Sequence, residues 1–198
     1  MNTTTSTAQK ICIITGFSEG KYHTKKCIRA FTNAGFTVVA RAGDADIIVT
    51  HSAGYIFLPN NLAGKCVVLV NPPHQYVGAA FKNTLKKIQE DYRHHKTHRK
   101  TWQFFVKNTW NIWYMLAEFP RQRQMIRLVP KQHTILPKLN AKQLLFIATR
   151  DDPWASRITT KSITSNPRYS FVSLEGSHDD VWMHPEHYVA IIKASYES

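Results

Sequence analysis

The stretch IIVTHSAG occupies residues 47–54 and combines two features that decide the fold. Its first part is a short run of Ile and Val, of the kind that forms a strand buried on both faces of a sheet. Its second part sets Ser52 between Thr50 and Gly54, so that a small residue stands two positions away on each side. A serine on a sharp turn from a strand into a helix needs this spacing, because large side chains there would clash with the neighbouring strand and helix. The stretch therefore predicts a buried strand that presents Ser52 at its carboxyl end.

Similar apolar runs recur along the chain and alternate with helical patterns. Helical spacing marks about residues 21–34, and a final helix is predicted from about Pro185. The predicted strands cover residues 11–15, 36–40, 46–50, 66–70, 144–148 and 169–174. This alternation indicates an α/β fold with a mostly parallel open sheet and helices on both faces.

Polar residues with catalytic chemistry follow three of these strands. In open parallel sheets, ligands bind beyond the carboxyl ends of the strands. Asp151 and Asp152 follow the fifth predicted strand, and His178 follows the sixth. Together with Ser52, these residues give the chain order Ser, Asp, His, each just past a strand.

This order and the elbow around Ser52 resemble the α/β-hydrolase superfamily, in which the nucleophile stands in G-x-S-x-G and an acid and a histidine follow. The resemblance covers residues 11–73 and 143–196. It implies that Ser52 is the nucleophile, that His178 is the general base, and that Asp152 is the acid that orients it, with Asp151 as the alternative acid. Thr50 departs from the family pattern, which has glycine at that position.

The resemblance also implies a reaction. A member of this family with a serine nucleophile would act as a serine hydrolase of the esterase type, transferring the acyl group of a small-molecule ester through an acyl-enzyme to water. The oxyanion hole would consist of the backbone N–H groups of Phe17 and Ala53. No cofactor is expected. No metal site is expected either, because the pair His94 and His98, although at helical spacing, is surrounded by Lys and Arg side chains that would repel a cation.

The connection after the second predicted strand is short. About six residues lie between Ala40 and Asp46, whereas parallel crossovers usually need a dozen or more. Six extended residues reach roughly 20 Å, which is close to the path back along one strand and across two strand spacings. We therefore expect a trimmed, extended crossover that leaves part of one sheet face for another element, or for the second subunit of a homodimer, to cover.

The net charge of +13 is concentrated in one part of the chain. Residues 82–142 hold 14 Lys and Arg against three acids, a net of +11, and the remainder carries 12 against ten, a net of +2. Nearly all of this segment lies in an insert at about residues 74–140, whose aromatic residues recur at helical spacing, so a helical lid is predicted there. Its basic face would attract an anionic substrate or a membrane surface. Residues 1–9 are predicted to form a disordered tail, and residues 10–198 a single domain that contains the insert.

The remaining function classes bear on the same insert. Clustered cations with interleaved aromatic residues also fit nucleic-acid binding, but no recognised nucleic-acid motif is present, which argues against it. The alternative to an enzyme is a non-catalytic binding module whose basic insert holds nucleic acid or an anionic membrane. The three cysteines form no CxxC pair, and neither a secretory signal nor an apolar window of membrane-spanning length is visible, so a reduced, cytoplasmic setting is expected.

Overall fold

The computed structural model describes residues 8–16, 21–72, 139–152 and 167–197. The chain divides into two compact units, of which the first comprises Met1–His74 and Pro137–Ser198 and the second Gln75–Leu136. All strands and helices given below belong to the first unit. Residues 1–7 of the N-terminal tail and nearly all of the basic insert lie outside the described residues, so the single domain with a helical lid stays a prediction.

Six parallel strands form one sheet in the order β2-β1-β3-β4-β5-β6. Their bounds are β1 Lys10–Ile14, β2 Thr37–Val38, β3 Ile47–His51, β4 Cys66–Val70, β5 Gln143–Thr149 and β6 Tyr169–Leu174. Every predicted strand is present, and the predicted parallel α/β sheet is confirmed. β2 is shorter than its predicted run, because this edge strand pairs with β1 through two residues only.

The sheet is buried on both faces. One face carries Ile11, Ile47, Val49, Val68, Val70, Leu145 and Ile147, and the other carries Cys12, Ile48, Val67, Leu69, Leu144 and Phe146. The continuous apolar runs of the central strands are thus explained, since successive side chains of a strand point to opposite faces. Each fully buried aliphatic side chain stabilises the fold by about 1.5–3 kcal/mol.

Among the described residues, three helices share the first of these faces. They are α1 (Lys21–Asn33), α2 (Asp180–Met183) and α3 (Pro185–Glu197), and they contact one another and the core around Ile47. None of the helices described is both long and apolar enough to cross a membrane.

Helix α1 ends where its sequence predicts. Gly35 adopts a φ of 93°, which favours glycine, and its N–H donates to Thr32 O. The next N–H, of Phe36, reaches back to Phe31 O at 3.1 Å. These two bonds form a Schellman motif, and the Phe31 and Phe36 rings meet edge to face at 5.7 Å as its apolar contact.

The connection from β2 to β3 is short, as predicted, and it crosses β1. It contains a single 3₁₀ turn, Ala42–Asp44, and Ala40 O lies 3.9 Å from Cys12 Sγ on the second face of β1. The ammonium of Lys65 donates to Gly43 O at 2.8 Å and to Ala45 O at 2.7 Å, which fixes the turn. Ile48 and its neighbours on this face are buried within the single chain. A second subunit is therefore not needed to cover these residues, and the homodimer stays a prediction.

Candidate active site

Ser52 stands at the turn that follows β3, in a backbone conformation that serine rarely adopts. Its φ is 51°, and among the described residues only Asn71 shares a left-handed conformation without being glycine. Such conformations cost of order 1–3 kcal/mol and persist where the surroundings impose them. A strained serine directly after a buried strand is the geometry of a nucleophile elbow. The chain continues from Ser52 into a short 3₁₀ helix, Ser52–Phe57.

Close backbone contacts explain the small residues around Ser52. A Cβ atom on Gly54 would lie 2.6 Å from Ile14 O and 3.0 Å from Thr15 O. A Cβ atom on Gly16 would lie 2.6 Å from Ser52 Cβ. The two distances of 2.6 Å are far shorter than any real contact of a Cβ atom, so positions 16 and 54 require glycine. The predicted requirement for a small residue two positions after the serine is therefore explained by the β1 backbone.

Thr50 fits although it replaces the first glycine of the family pattern. Its side chain is fully buried, and its hydroxyl lies 3.4 Å from Val68 O on the neighbouring strand β4. The β-branched side chain is therefore accommodated between β3 and β4, where branched residues pack well.

His178 and Asp152 form the polar pair of the site. His178 Nδ1 lies 2.7 Å from Asp152 Oδ2, and Asp152 is fully buried while the His178 side chain keeps 17% of its surface exposed. The carboxylate accepts a hydrogen bond from Nδ1–H, so in the neutral imidazole Nε2 is the acceptor nitrogen. Asp151 is exposed, and its backbone N–H donates to Gly176 O. The geometry thus pairs His178 with Asp152, and not with the alternative acid Asp151.

Two further side chains bind the backbone of His178. His51 Nε2 lies 2.8 Å from His178 O, and Asn71 Nδ2 donates to the same oxygen at 2.9 Å. The sequence predicts a structural role for His51 beside the elbow, and its ring indeed contacts the rings of His178 and Trp182 at 4.7 Å and 5.1 Å. Asn71 was missed. The signal that could have found it is a polar residue, tolerant of left-handed backbone, directly after a buried strand at the carboxyl edge of the sheet.

Of the two predicted oxyanion donors, one lies within the described residues. Ala53 follows Ser52 at the start of the 3₁₀ helix, and a Cβ atom on Gly16 would come within 3.1 Å of its nitrogen. The absence of a side chain at Gly16 therefore lets the turn after β1 pack closely against Ser52 and Ala53. Phe17 lies outside the described residues.

One group of side chains has the composition of a metal site. Ligand atoms of His51, His178 and Asp179 lie within 4.8 Å of one another. His178 Nδ1 is already bound to Asp152, and His51 Nε2 is bound to a carbonyl oxygen. These hydrogen bonds account for the cluster without a metal. The pair His94 and His98 lies outside the described residues.

The three cysteines form no disulfide, and Cys12 and Cys27 are buried while Cys66 is partly so. Burial raises the pKa of the Cys12 and Cys66 thiols, so both stay protonated at neutral pH. Cys27 Sγ donates to Val181 O at 3.2 Å, between α1 and α2. They behave as the small buried residues that the sequence predicts.

Comparison with known proteins gives a consistent answer for the fold. No protein-family model matches the chain, and no curated protein matches its sequence. Among solved structures, an α/β-hydrolase enzyme from a Medee basin deep-sea metagenome library is 15% identical with a TM-score of 0.63, covering 100% of this chain and 92% of its own. A thioesterase domain from the curacin biosynthetic pathway is 13% identical with a TM-score of 0.56, covering 93% and 91%. An enol-lactonase from Burkholderia xenovorans LB400 is 11% identical with a TM-score of 0.54, covering 97% and 91%. With its parallel sheet and its elbow at the end of β3, the chain has the fold of the α/β-hydrolase superfamily.

Proposed function

We propose that the chain is a serine hydrolase that cleaves carboxylic esters or thioesters. The observation that carries the proposal is the left-handed Ser52 at the end of β3, on the same sheet edge as the His178–Asp152 pair. His51 supports the proximity of Ser52 and His178. Its side chain binds His178 O, and it directly precedes Ser52 in the chain, so the Cα atoms of His51 and Ser52 are about 3.8 Å apart.

The proposed reaction begins with proton transfer. His178 Nε2 takes the proton of Ser52 Oγ while that oxygen attacks the carbonyl carbon of the substrate. Asp152 holds the proton on Nδ1 and stabilises the imidazolium that forms. The tetrahedral intermediate then expels the alcohol or thiol, which receives its proton from His178. A water molecule, activated by the same imidazole, releases the acyl group as a carboxylic acid.

The negative charge of the tetrahedral intermediate needs backbone donors. The Ala53 N–H is one, and the close packing of the Gly16 turn against Ser52 and Ala53 supports this role, because it brings the turn after β1 to the elbow. The Phe17 N–H is the second by sequence, since Phe17 directly follows Gly16 in the turn after β1. Removing one such donor typically costs about 10²–10³-fold in kcat.

The choice of esters and thioesters follows from two considerations. A serine oxygen nucleophile forms an acyl-enzyme with any activated acyl carbonyl, and the similar structures include a thioesterase domain and an enol-lactonase. The basic insert remains a proposed lid, whose positive charge would favour acyl substrates with an anionic group.

Hydrolysis of short p-nitrophenyl esters and of an acyl-CoA thioester tests the proposal. The unmutated protein should turn over at least one of these substrates. Ser52→Ala and His178→Ala should each lower kcat/KM by about a thousandfold or more. Asp151→Asn is the matched control, since this exposed acid next to Asp152 should be replaceable with little change.

Two outcomes would contradict the proposal. If the unmutated protein turns over neither esters nor thioesters, the enzyme assignment fails, and salt-sensitive binding to nucleic acid or anionic vesicles would then support the binding module. If turnover persists in a folded Ser52→Ala variant, another residue is the nucleophile. Thermal unfolding of each variant verifies that it is folded.

A further inference from the structure

The backbone carbonyl of His178 is held by two side chains that come from different strands. His51, the last residue of β3, approaches it with Nε2 at 2.8 Å, and Asn71, directly after β4, donates Nδ2 at 2.9 Å. A loop carbonyl in a partly exposed segment does not need two buried side-chain donors merely to be satisfied, since one partner or water suffices. The double contact therefore points to a requirement on the position of His178 itself.

The orientation of the Asn71 amide is fixed by its partners. Thr149 N is a donor 2.8 Å from Oδ1, whereas His178 O is an acceptor 2.9 Å from Nδ2, so the amide has a single orientation that satisfies both. Thr149 Oγ1 lies a further 3.2 Å from Oδ1 and 3.0 Å from Ser177 O. Asn71 is fully buried and has a φ of 47°. The residue thus links the end of β5 to the His178 loop through one rigid amide.

The same reasoning fixes the proton on His51. Because its partner is a carbonyl oxygen, Nε2 must carry a hydrogen, whatever the state of Nδ1. The buried ring contacts His178 on one side and Trp182 on another, which prevents rotation. His51 therefore couples the elbow strand to the backbone of His178.

We propose that Asn71 and His51 are positioning residues for the imidazole of His178, a role that rests on the proposed hydrolase function. They anchor the backbone end of the residue, and Asp152 anchors the ring at Nδ1. With both ends held, Nε2 keeps one position relative to the elbow. A displacement of about 1 Å at such a site can cost about 10²-fold in rate.

Asn71→Asp is the sharpest variant. It keeps the shape, the acceptor for Thr149 N–H and the tolerance of left-handed backbone, but it replaces the donor to His178 O with an oxygen. We expect kcat to fall about 10–100-fold with KM within about threefold, and the Nδ1–H proton resonance of His178 to shift or broaden in NMR spectra. Thr149→Ser is the matched control, because it removes one buried methyl group beside Asn71 but keeps the hydroxyl that contacts Asn71 Oδ1 and Ser177 O, and it leaves the Nδ2 donor in place. It should leave kcat and the resonance unchanged.

Further variants keep the inference testable if Asn71→Asp does not fold. Asn71→Gly retains the left-handed backbone without the donor, and should behave like Asn71→Asp. At the other anchor, His51→Gln can still donate from its amide nitrogen and should retain most of kcat, whereas His51→Leu should not.

The two ways of failing are distinguishable. Unchanged kcat and an unchanged Nδ1–H resonance in folded Asn71→Asp or Asn71→Gly would overturn the positioning role while the unmutated protein still hydrolyses esters. A parallel loss in Thr149→Ser would also overturn it, because the effect would then follow stability and not the donor. Absence of turnover in the unmutated protein would instead overturn the proposed function, and the resonance would still report on the anchor.

Discussion

Replacing Gly54 with alanine should destabilise the fold through a single steric conflict at the elbow. The new Cβ atom would lie 2.6 Å from Ile14 O, roughly 0.7 Å closer than even short C–H···O contacts allow. Ile14 cannot retreat freely, because it pairs with Thr50 in the β1–β3 ladder. Overpacking of this kind costs about 1–3 kcal/mol. For a protein of this length, that lowers the melting temperature by about 2–12 °C.

Gly43→Ala supplies the matched control. A Cβ atom at Gly43 would have nothing within 4 Å, and this residue has no left-handed backbone, so only the reduced entropy of the unfolded chain changes. That effect stabilises by about 0.4–1 kcal/mol. Thermal unfolding followed by circular dichroism, together with urea titration, measures both variants. The steric account is refuted if Gly54→Ala melts at or above Gly43→Ala.

Three other changes probe the site and its frame. Asp152→Asn should lower kcat for ester hydrolysis by about 10⁴-fold, because an amide at position 152 would favour the wrong tautomer of His178. Asp151→Asn should change kcat by no more than about threefold, and equal losses in the two variants would contradict the pairing of His178 with Asp152. Burial raises the pKa of Tyr55 above its ordinary value of 10.0, so the folded state retains a proton that the unfolded chain loses, and stability should fall as pH rises above about 10. Tyr55→Phe should reduce that fall by about 1.4 kcal/mol per pH unit in unfolding titrations between pH 9 and 11.5, and an identical slope would contradict this. Lys65→Met should lower the free energy of unfolding by about 1–3 kcal/mol in urea titrations, since it removes the two hydrogen bonds from the Lys65 ammonium to the β2–β3 connection. It should leave kcat unchanged.

The sheet and the strand-end residues could be predicted because both depend on short-range patterns. Apolar runs between turn residues mark buried strands, and parallel strands bring their carboxyl ends to one edge. Ser52, Asp152 and His178 could therefore be grouped from their positions alone. Gly54 could be predicted as well, because the elbow leaves no room for a side chain there.

The contacts of particular side chains could not be read in the same way. Asp151 and Asp152 are neighbours with the same chemistry, and only the path of the chain after β5 decides which carboxylate reaches His178. Asn71 has its role through a left-handed backbone and through partners on two other segments, the end of β5 and the His178 loop, which no local pattern encodes.

The helix after the elbow is short for a local reason. The 3₁₀ helix ends at Phe57, and Leu58 is extended, with φ −60° and ψ 140°. Pro59 follows, and the residue before a proline is disfavoured in helical conformation. The proline therefore limits the helix to about two turns.

Labelling with a fluorophosphonate probe tests the central claim most directly. Such a probe phosphonylates only an activated serine, and peptide mapping by mass spectrometry locates the adduct. We predict one adduct per chain, on Ser52, with labelling abolished in Ser52→Ala and strongly slowed in folded His178→Ala. An unlabelled native protein, or an adduct on another residue, would contradict the assignment of Ser52 as the nucleophile.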